Sequence, residues 1–288
     1  MTKLSEEQRY QAWKFFFKEK SSKKLISKNY NFHFDSLTRA RKCKSKDLTN
    51  AFQEFAQISS MKAPKKKFVK NMGRCNRKKI PMLYLSSSTL SLPLEIGLEV
   101  GDLFCVAHFI TKNTEEHGPY AVSGHQYLVK QAKLNYILQN YTTNFSEAQI
   151  KYDAILGRLM TAVNNKNGFG IYSLTNALCS IYFHRPKNSK EYGWVSNETY
   201  QVVQDETIGL IYPCVHFNLN SFNVVMNPKN ADSIFHISEL KLFEYQGYHD
   251  QRSLNLLHHG TGKVDRLHGN VYWSRVDKNQ NKRIIFDE

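Results

Sequence analysis

An arginine, a tyrosine and a glutamate stand at positions 74, 84 and 95 of the stretch GRCNRKKIPMLYLSSSTLSLPLEIG, residues 73–97. An arginine offers a planar fork of donors that grips phosphate or hydroxyl oxygens two at a time, which a lysine cannot reproduce. Gly73 beside Arg74 permits close backbone approach, and Asn76 can pair with a hydroxyl or cap the turn. Tyr84 presents a flat apolar ring with a polar tip. Glu95 supplies a fixed negative charge suited to a developing positive one. Each residue also has an ordinary use: Arg74 as one more cation in a basic loop, Tyr84 as a core ring, Glu95 as a solvated carboxylate on a short helix. Upstream, Arg39 and Arg41 of LTRARK share one face if that segment is extended, so either can line a phosphate site. His108, at the end of LFCVAHFI, reads as structural and stays outside the candidate set.

The elements that must carry these residues follow from periodicity. Ser5-Glu6-Glu7-Gln8 is a capping box, and Tyr10, Trp13, Phe16 and Phe17 recur behind it at helical spacing, which predicts an amphipathic helix. Residues 18–30 are polar and basic, as in a linker. NFHFDSLTRARK alternates like a strand, and Leu48, Phe52, Phe55 and Ile58 predict a short helix. MKAPKKKFVKNMG reads as a basic loop punctuated by Pro and Gly. IPMLYL and LFCVAHFI read as strands flanking a helical turn in LPLEIGLEVGD. Ser146-Glu147-Ala148-Gln149 repeats the capping box ahead of Ile155, Leu159 and Val163, and YSLTNALCSIYF predicts a further helix. IGLIYPCVHF, FNVVMNP and IFHISELKLFEY are strand-like, and VYWSRVDKNQNKRIIF reads as a final hairpin around a polar turn. Strands with helices between or beside them give an α+β expectation with an N-terminal helical addition and a C-terminal β-hairpin.

Composition sets the outer limits. The 288 residues are 41% apolar and 13% aromatic, which is the make-up of a folded chain long enough for a sizeable core. Five cysteines, odd in number, widely spaced and never in a C-x-x-C arrangement, suggest neither a disulfide framework nor a zinc site. No apolar run approaches the ~18 residues of a spanning helix, and the N-terminus lacks the apolar core of a signal peptide, so the expectation is cytoplasmic with no membrane partner. The net charge of +15 is unevenly placed: residues 1–80 hold 22 lysines and arginines against 6 acidic residues, and the rest hold 18 against 19. Such a field attracts nucleic acid, acidic protein or phosphorylated small molecules without selecting among them, and is equally the mark of a solvated lysine-rich surface.

Taken in order, Gly73-Arg74-Cys75-Asn76, Ile80-Pro81, Leu83-Tyr84-Leu85, Glu95 eleven positions after the tyrosine, and VGDLFCVAHF resemble the RES domain, named for its Arg, Glu and Ser. Tyr212-Pro213-Cys214, followed by Asn223-Val224-Val225 and Pro228, matches the downstream element, with cysteine where the family has serine. LTRARK resembles the start of the domain, and YSLTNALCSI occupies the place of a family helix. The resemblance spans roughly residues 35–245, which divides the chain into a basic helix and linker at 1–34, the RES-like domain, and an extension at 246–288 expected to pack on the same domain. It implies an ADP-ribosyltransferase-like fold of mixed and antiparallel strands and an NAD-degrading toxin activity, by hydrolysis or phosphorolysis, with NAD as substrate and no metal. It also implies an Xre-like antitoxin as partner.

On that basis Arg74, Tyr84 and Glu95 are the candidate catalytic residues, and Arg39, Arg41, Asn76, Cys214 and Asn223 are candidate NAD-binding residues. Cleavage of the nicotinamide–ribose bond passes through an oxocarbenium-like state that a carboxylate such as Glu95 stabilises. A thiol is a larger and weaker hydrogen-bond partner than a hydroxyl, so Cys214 would hold its contact less firmly than serine. Two other readings remain: transfer of ADP-ribose to a macromolecule, and a decayed module that binds polyanions through residues 1–80.

Overall fold

The structure is a computed structural model. It describes residues 30–112, 117–124, 207–214, 221–249, 253–277 and 283–287, with helical residues at intervals between 128 and 183. The helix expected around Ser5 to Phe17, nearly all of the linker at 18–30, and Ser146, Ile155, Leu159 and Val163 of the second capped helix lie outside the described residues.

In chain order the elements are β1 (Tyr30–Phe32), β2 (Ser36–Lys42), helix α1 (Leu48–Glu54), β3 (Leu83–Ser86), α2 (Leu92–Glu95), β4 (Leu103–Thr111), β5 (His117–Val122), β6 (Gly209–Pro213), β7 (Phe222–Met226), α3 (Pro228–Ile234), β8 (Phe235–Tyr248), β9 (Ser253–Val264), β10 (Val271–Arg275) and β11 (Arg283–Asp287). Among the described residues, a large set of strands accompanied by short helices gives the α+β character expected from the sequence, and both strand senses occur. By internal contacts the chain divides into two compact units, each assembled from separated stretches. One is Met1–His33, Pro64–Leu83 and Glu115–Asn230; the other is Phe34–Ala63, Tyr84–Thr114 and Ala231–Glu288.

In the first unit the strands pair in the order β1-β5-β6-β7, with β5 and β6 parallel. Every residue of β6 and β7 is buried, which is why GLIYP and FNVVM read as unbroken apolar runs rather than as alternating ones. Tyr120 is fully buried and meets Phe32 edge to face at 6.2 Å.

In the second unit the order is β3-β2-β4-β8-β9-β10, antiparallel throughout. β4 lies between β2 and β8, and its apolar run LFCVAHFIT is buried almost end to end. Helix α1 starts at Asp47, whose carboxylate accepts from the Asn50 amide at 2.9 Å, and it buries Ala51 and Phe52. Phe52 packs on Trp273 at 5.1 Å and lies over Gly260, where a Cβ would stand 2.9 Å from its ring. Only a glycine lets the helix come this close.

The expected C-terminal hairpin requires correction. β10 and β11 do not pair with each other: β10 pairs with Gly260–Val264 and β11 with Ser253–Leu257, end to end along β9. β9 is twelve residues long and its other edge is taken by β8, so it satisfies the backbone of both short strands in turn. The residues after 246 thus continue the strand order of the second unit.

Candidate functional site

Of the candidate residues, Arg39, Arg41, Tyr84 and Glu95 belong to the second unit, and Arg74, Asn76, Cys214 and Asn223 to the first.

In the second unit, β2 sets Arg39 and Arg41 on one face, opposite Ala107 and Cys105 of β4. Their fates differ. Arg41 donates to the carbonyl of Ser60. Arg39 donates through Nη1 to the carbonyl of Tyr84 at 3.0 Å, while its Nε is buried with no hydrogen-bond partner. Burial first, then the Arg41 charge, lowers the Arg39 guanidinium to about 10, with the Tyr84 phenol opposing. Among the described residues no carboxylate pairs with it.

The turn from β3 into α2 is held by hydroxyls. Thr38 Oγ1 on β2 donates to the Ser86 carbonyl at 3.1 Å, and Ser86 and Ser91 share a buried hydroxyl contact at 3.0 Å. Ser88 Oγ accepts from the Leu90 amide and Ser91 Oγ donates to the Ser88 carbonyl. The run SSST therefore folds as a short-range network of side-chain and backbone bonds. Tyr248 of β8 adds a bond from its hydroxyl to the Leu90 carbonyl at 2.5 Å. Pro93 suits the first turn of α2, and Gly97, at φ +64°, ends the helix in the left-handed region. Glu95 is thereby fixed on the last turn of a one-turn helix and is half-buried. Beyond it, buried Asp102 accepts from the Glu99 amide at 2.7 Å and pairs with Lys42 at 2.5 Å, tying the loop after Glu95 to β2.

In the first unit, Gly73-Arg74-Cys75-Asn76 is a tight turn closed by the Gly73 amide on the Asn76 carbonyl at 3.0 Å. Helical residues from YSLTNALCSI clamp it: Thr175 Oγ1 donates to the Arg74 carbonyl at 2.7 Å, and Asn176 Nδ2 donates to the Gly73 carbonyl. The Arg74 guanidinium donates to the Met160 carbonyl and lies 5.8 Å from the centre of the Tyr172 ring. Asn76 reaches the Asn71 and Arg77 carbonyls at 3.4 and 3.5 Å. Cys75 and Cys179 are fully buried; burial, and then the bond to Cys75, raises the Cys179 thiol well above its ordinary value. Cys214 is buried after β6, its amide bonded to the Ser221 carbonyl at 3.0 Å, and Asn223 is buried on β7 opposite Tyr212.

Sequence reasoning did not single out Ser86, Ser91, Thr175 or Asn176. The signal for the first pair is the serine run between a strand and a proline-started helix; for the second it is the polar Thr-Asn step inside an apolar helical stretch. His108, set aside as structural, lies 3.9 Å from Glu239. Among the described residues no group of three or more His, Cys, Asp or Glu side chains is placed to hold a metal, and no helix is long and apolar enough to cross a membrane. No family model and no curated protein matches the chain.

Proposed function

We propose that this chain is an NAD-consuming enzyme of the RES type that cleaves the nicotinamide–ribose bond. The carrying observation is Arg39, a half-buried arginine that no carboxylate among the described residues neutralises and whose Nε is buried with no hydrogen-bond partner. A desolvated cation of this kind is what a pyrophosphate oxygen would satisfy, through two parallel charge-assisted bonds. Its carbonyl partner, Tyr84, and the half-buried Glu95 belong to the same unit. Arg74, Asn76, Cys214 and Asn223 enter the proposal through their sequence pattern alone.

In the proposed reaction the C1′–N bond breaks, its electron pair leaves with nicotinamide, and positive charge develops on the ribose. Glu95 stabilises that charge and Tyr84 supports the ring or a ribose hydroxyl. Water or phosphate then adds at C1′ and gives up a proton. By the same resemblance the partner is an Xre-like protein that covers the pocket.

Incubation of the full chain with NAD, followed by chromatography of the small molecules, tests the reading. Free nicotinamide with ADP-ribose or its 1″-phosphate is the expected outcome. Glu95→Gln keeps the shape, removes the charge and is expected to slow NAD loss by about 10²-fold or more in a folded protein. Intact NAD with wild-type protein, or full turnover by folded Glu95→Gln, would overturn it. ADP-ribose attached to protein would move the acceptor from water to a macromolecule.

A further inference from the structure

The second unit holds a cleft of about 390 Å³ that shares no residue with the candidate NAD site. It lies where the end of β4 meets the start of β8, the Lys112 amide bonding the Ile234 carbonyl at 2.8 Å. Buried Phe109 and Phe235 supply apolar walls. Lys62, Lys112, Arg266 and His236 line the rest, with Asp232 as the acidic group.

The cations are not matched by anions. Lys62 pairs with the Asp232 carboxylate at 2.8 Å, and Lys112 donates to the Asp232 backbone carbonyl. Arg266 has no ion pair among the described residues, and the His236 Nε2 is buried with no hydrogen-bond partner. Three permanent positive charges therefore face one negative charge, an excess of two. A phosphomonoester carries close to two negative charges at neutral pH and offers three strong acceptor oxygens. The volume falls in the range of small-molecule sites, with apolar walls and a few convergent polar groups. Lys62 and Asp232 are 42% and 56% exposed, so solvent reaches the charged end.

We propose that this cleft binds a phosphomonoester of mononucleotide size, its phosphate among Lys62, Lys112, Arg266 and His236 and its organic body against Phe109 and Phe235. Arg266 contributes the planar fork, and the lysines act as point charges. Burial, then the charges of Arg266 and Lys112, lowers the His236 imidazole, with Lys62 and Asp232 the other charged groups lining the cleft. A dianion placed among these cations removes that repulsion, so the ring should take up a proton at higher pH when the site is filled.

The test is NMR of the full chain with labelled histidine, titrated with AMP, adenosine and inorganic phosphate. His236→Gln assigns the ring signals. AMP is expected to shift the His236 signals saturably below about 1 mM, phosphate to shift the same signals more weakly, and adenosine to leave them unmoved. Arg266→Gln, at an exposed position, should weaken AMP binding by about tenfold or more, whereas Arg39→Met should leave it unchanged. No saturable shift with AMP, a shift with phosphate but none with AMP, or equal AMP affinity in wild type and Arg266→Gln would each overturn the proposal. Loss of AMP binding in Arg39→Met with His236 unmoved would place the nucleotide at the other site and would also refute it.

Discussion

On the proposed reading, replacing Arg39 with methionine should slow NAD cleavage without weakening the fold. Burial, then the Arg41 charge, lowers the guanidinium to about 10, which at about 1.4 kcal/mol per pH unit leaves the folded chain roughly 3 kcal/mol of unfavourable charge at pH 7. Methionine removes that burden while keeping most of the aliphatic stem. It also removes the bond from Nη1 to the Tyr84 carbonyl at 3.0 Å, which for a charged donor contributes about 1.5–3 kcal/mol. The two terms nearly cancel, so urea unfolding of Arg39→Met should show stability unchanged or raised by about 1 kcal/mol. NAD cleavage should fall by about 10- to 100-fold, the cost of one lost bidentate contact to phosphate. A loss of more than about 2 kcal/mol in the variant, or NAD cleavage at the wild-type rate, would refute the reasoning.

Three further outcomes are expected. Gly124→Ala should cost about 2–5 kcal/mol in urea unfolding, because φ is +80° and the new Cβ would stand 2.8 Å from the Gly157 Cα and 3.1 Å from the Pro213 Cγ; a cost under about 1 kcal/mol would contradict it. Asp102→Asn should cost about 1–3 kcal/mol at pH 7. Burial raises the Asp102 carboxyl, but the Lys42 bond, the Glu99 amide and the charges of Lys42 and Lys46 outweigh it and hold the group below its ordinary value. Its contribution is complete above the ordinary carboxylate range and is lost as pH falls below about 4, so the gap between wild type and Asp102→Asn should close in acid. If Cys214 supplies a polar contact, NAD cleavage should rank Cys214→Ser at or above wild type and Cys214→Ala several-fold below it; equal rates for all three would reduce the residue to packing.

Local pattern alone specified much of the second unit. The alternation in LTRARK and the apolar run LFCVAHFI gave β2 and β4, and the spacing of Leu48, Phe52, Phe55 and Ile58 gave α1, because side-chain periodicity is a property of the chain itself; the helix ends sooner than that spacing suggests, with Phe55 as its C-cap and Ile58 in a separate 3₁₀ turn. LPLEIGLEVGD read as a helical turn, and its first four residues form the one-turn helix that carries Glu95. What the pattern could not supply was partnership. The last two strands look like a hairpin in sequence, yet each takes its backbone partners from β9, a choice set by which edge is free once β8 is in place. The basic cleft was hidden for the same reason, since Lys62, Lys112, His236 and Arg266 lie far apart in sequence and meet only when β4 and β8 pair. Arg39 and Arg41 show the limit most directly. Two residues apart on one strand face, they are equivalent in sequence; in the folded chain Arg41 is bonded to the Ser60 carbonyl, while Arg39 reaches the Tyr84 carbonyl and keeps a buried nitrogen without a partner. Hydrogen bonds to backbone groups 19 and 45 residues away decide between them, and periodicity carries no information about contacts at that range.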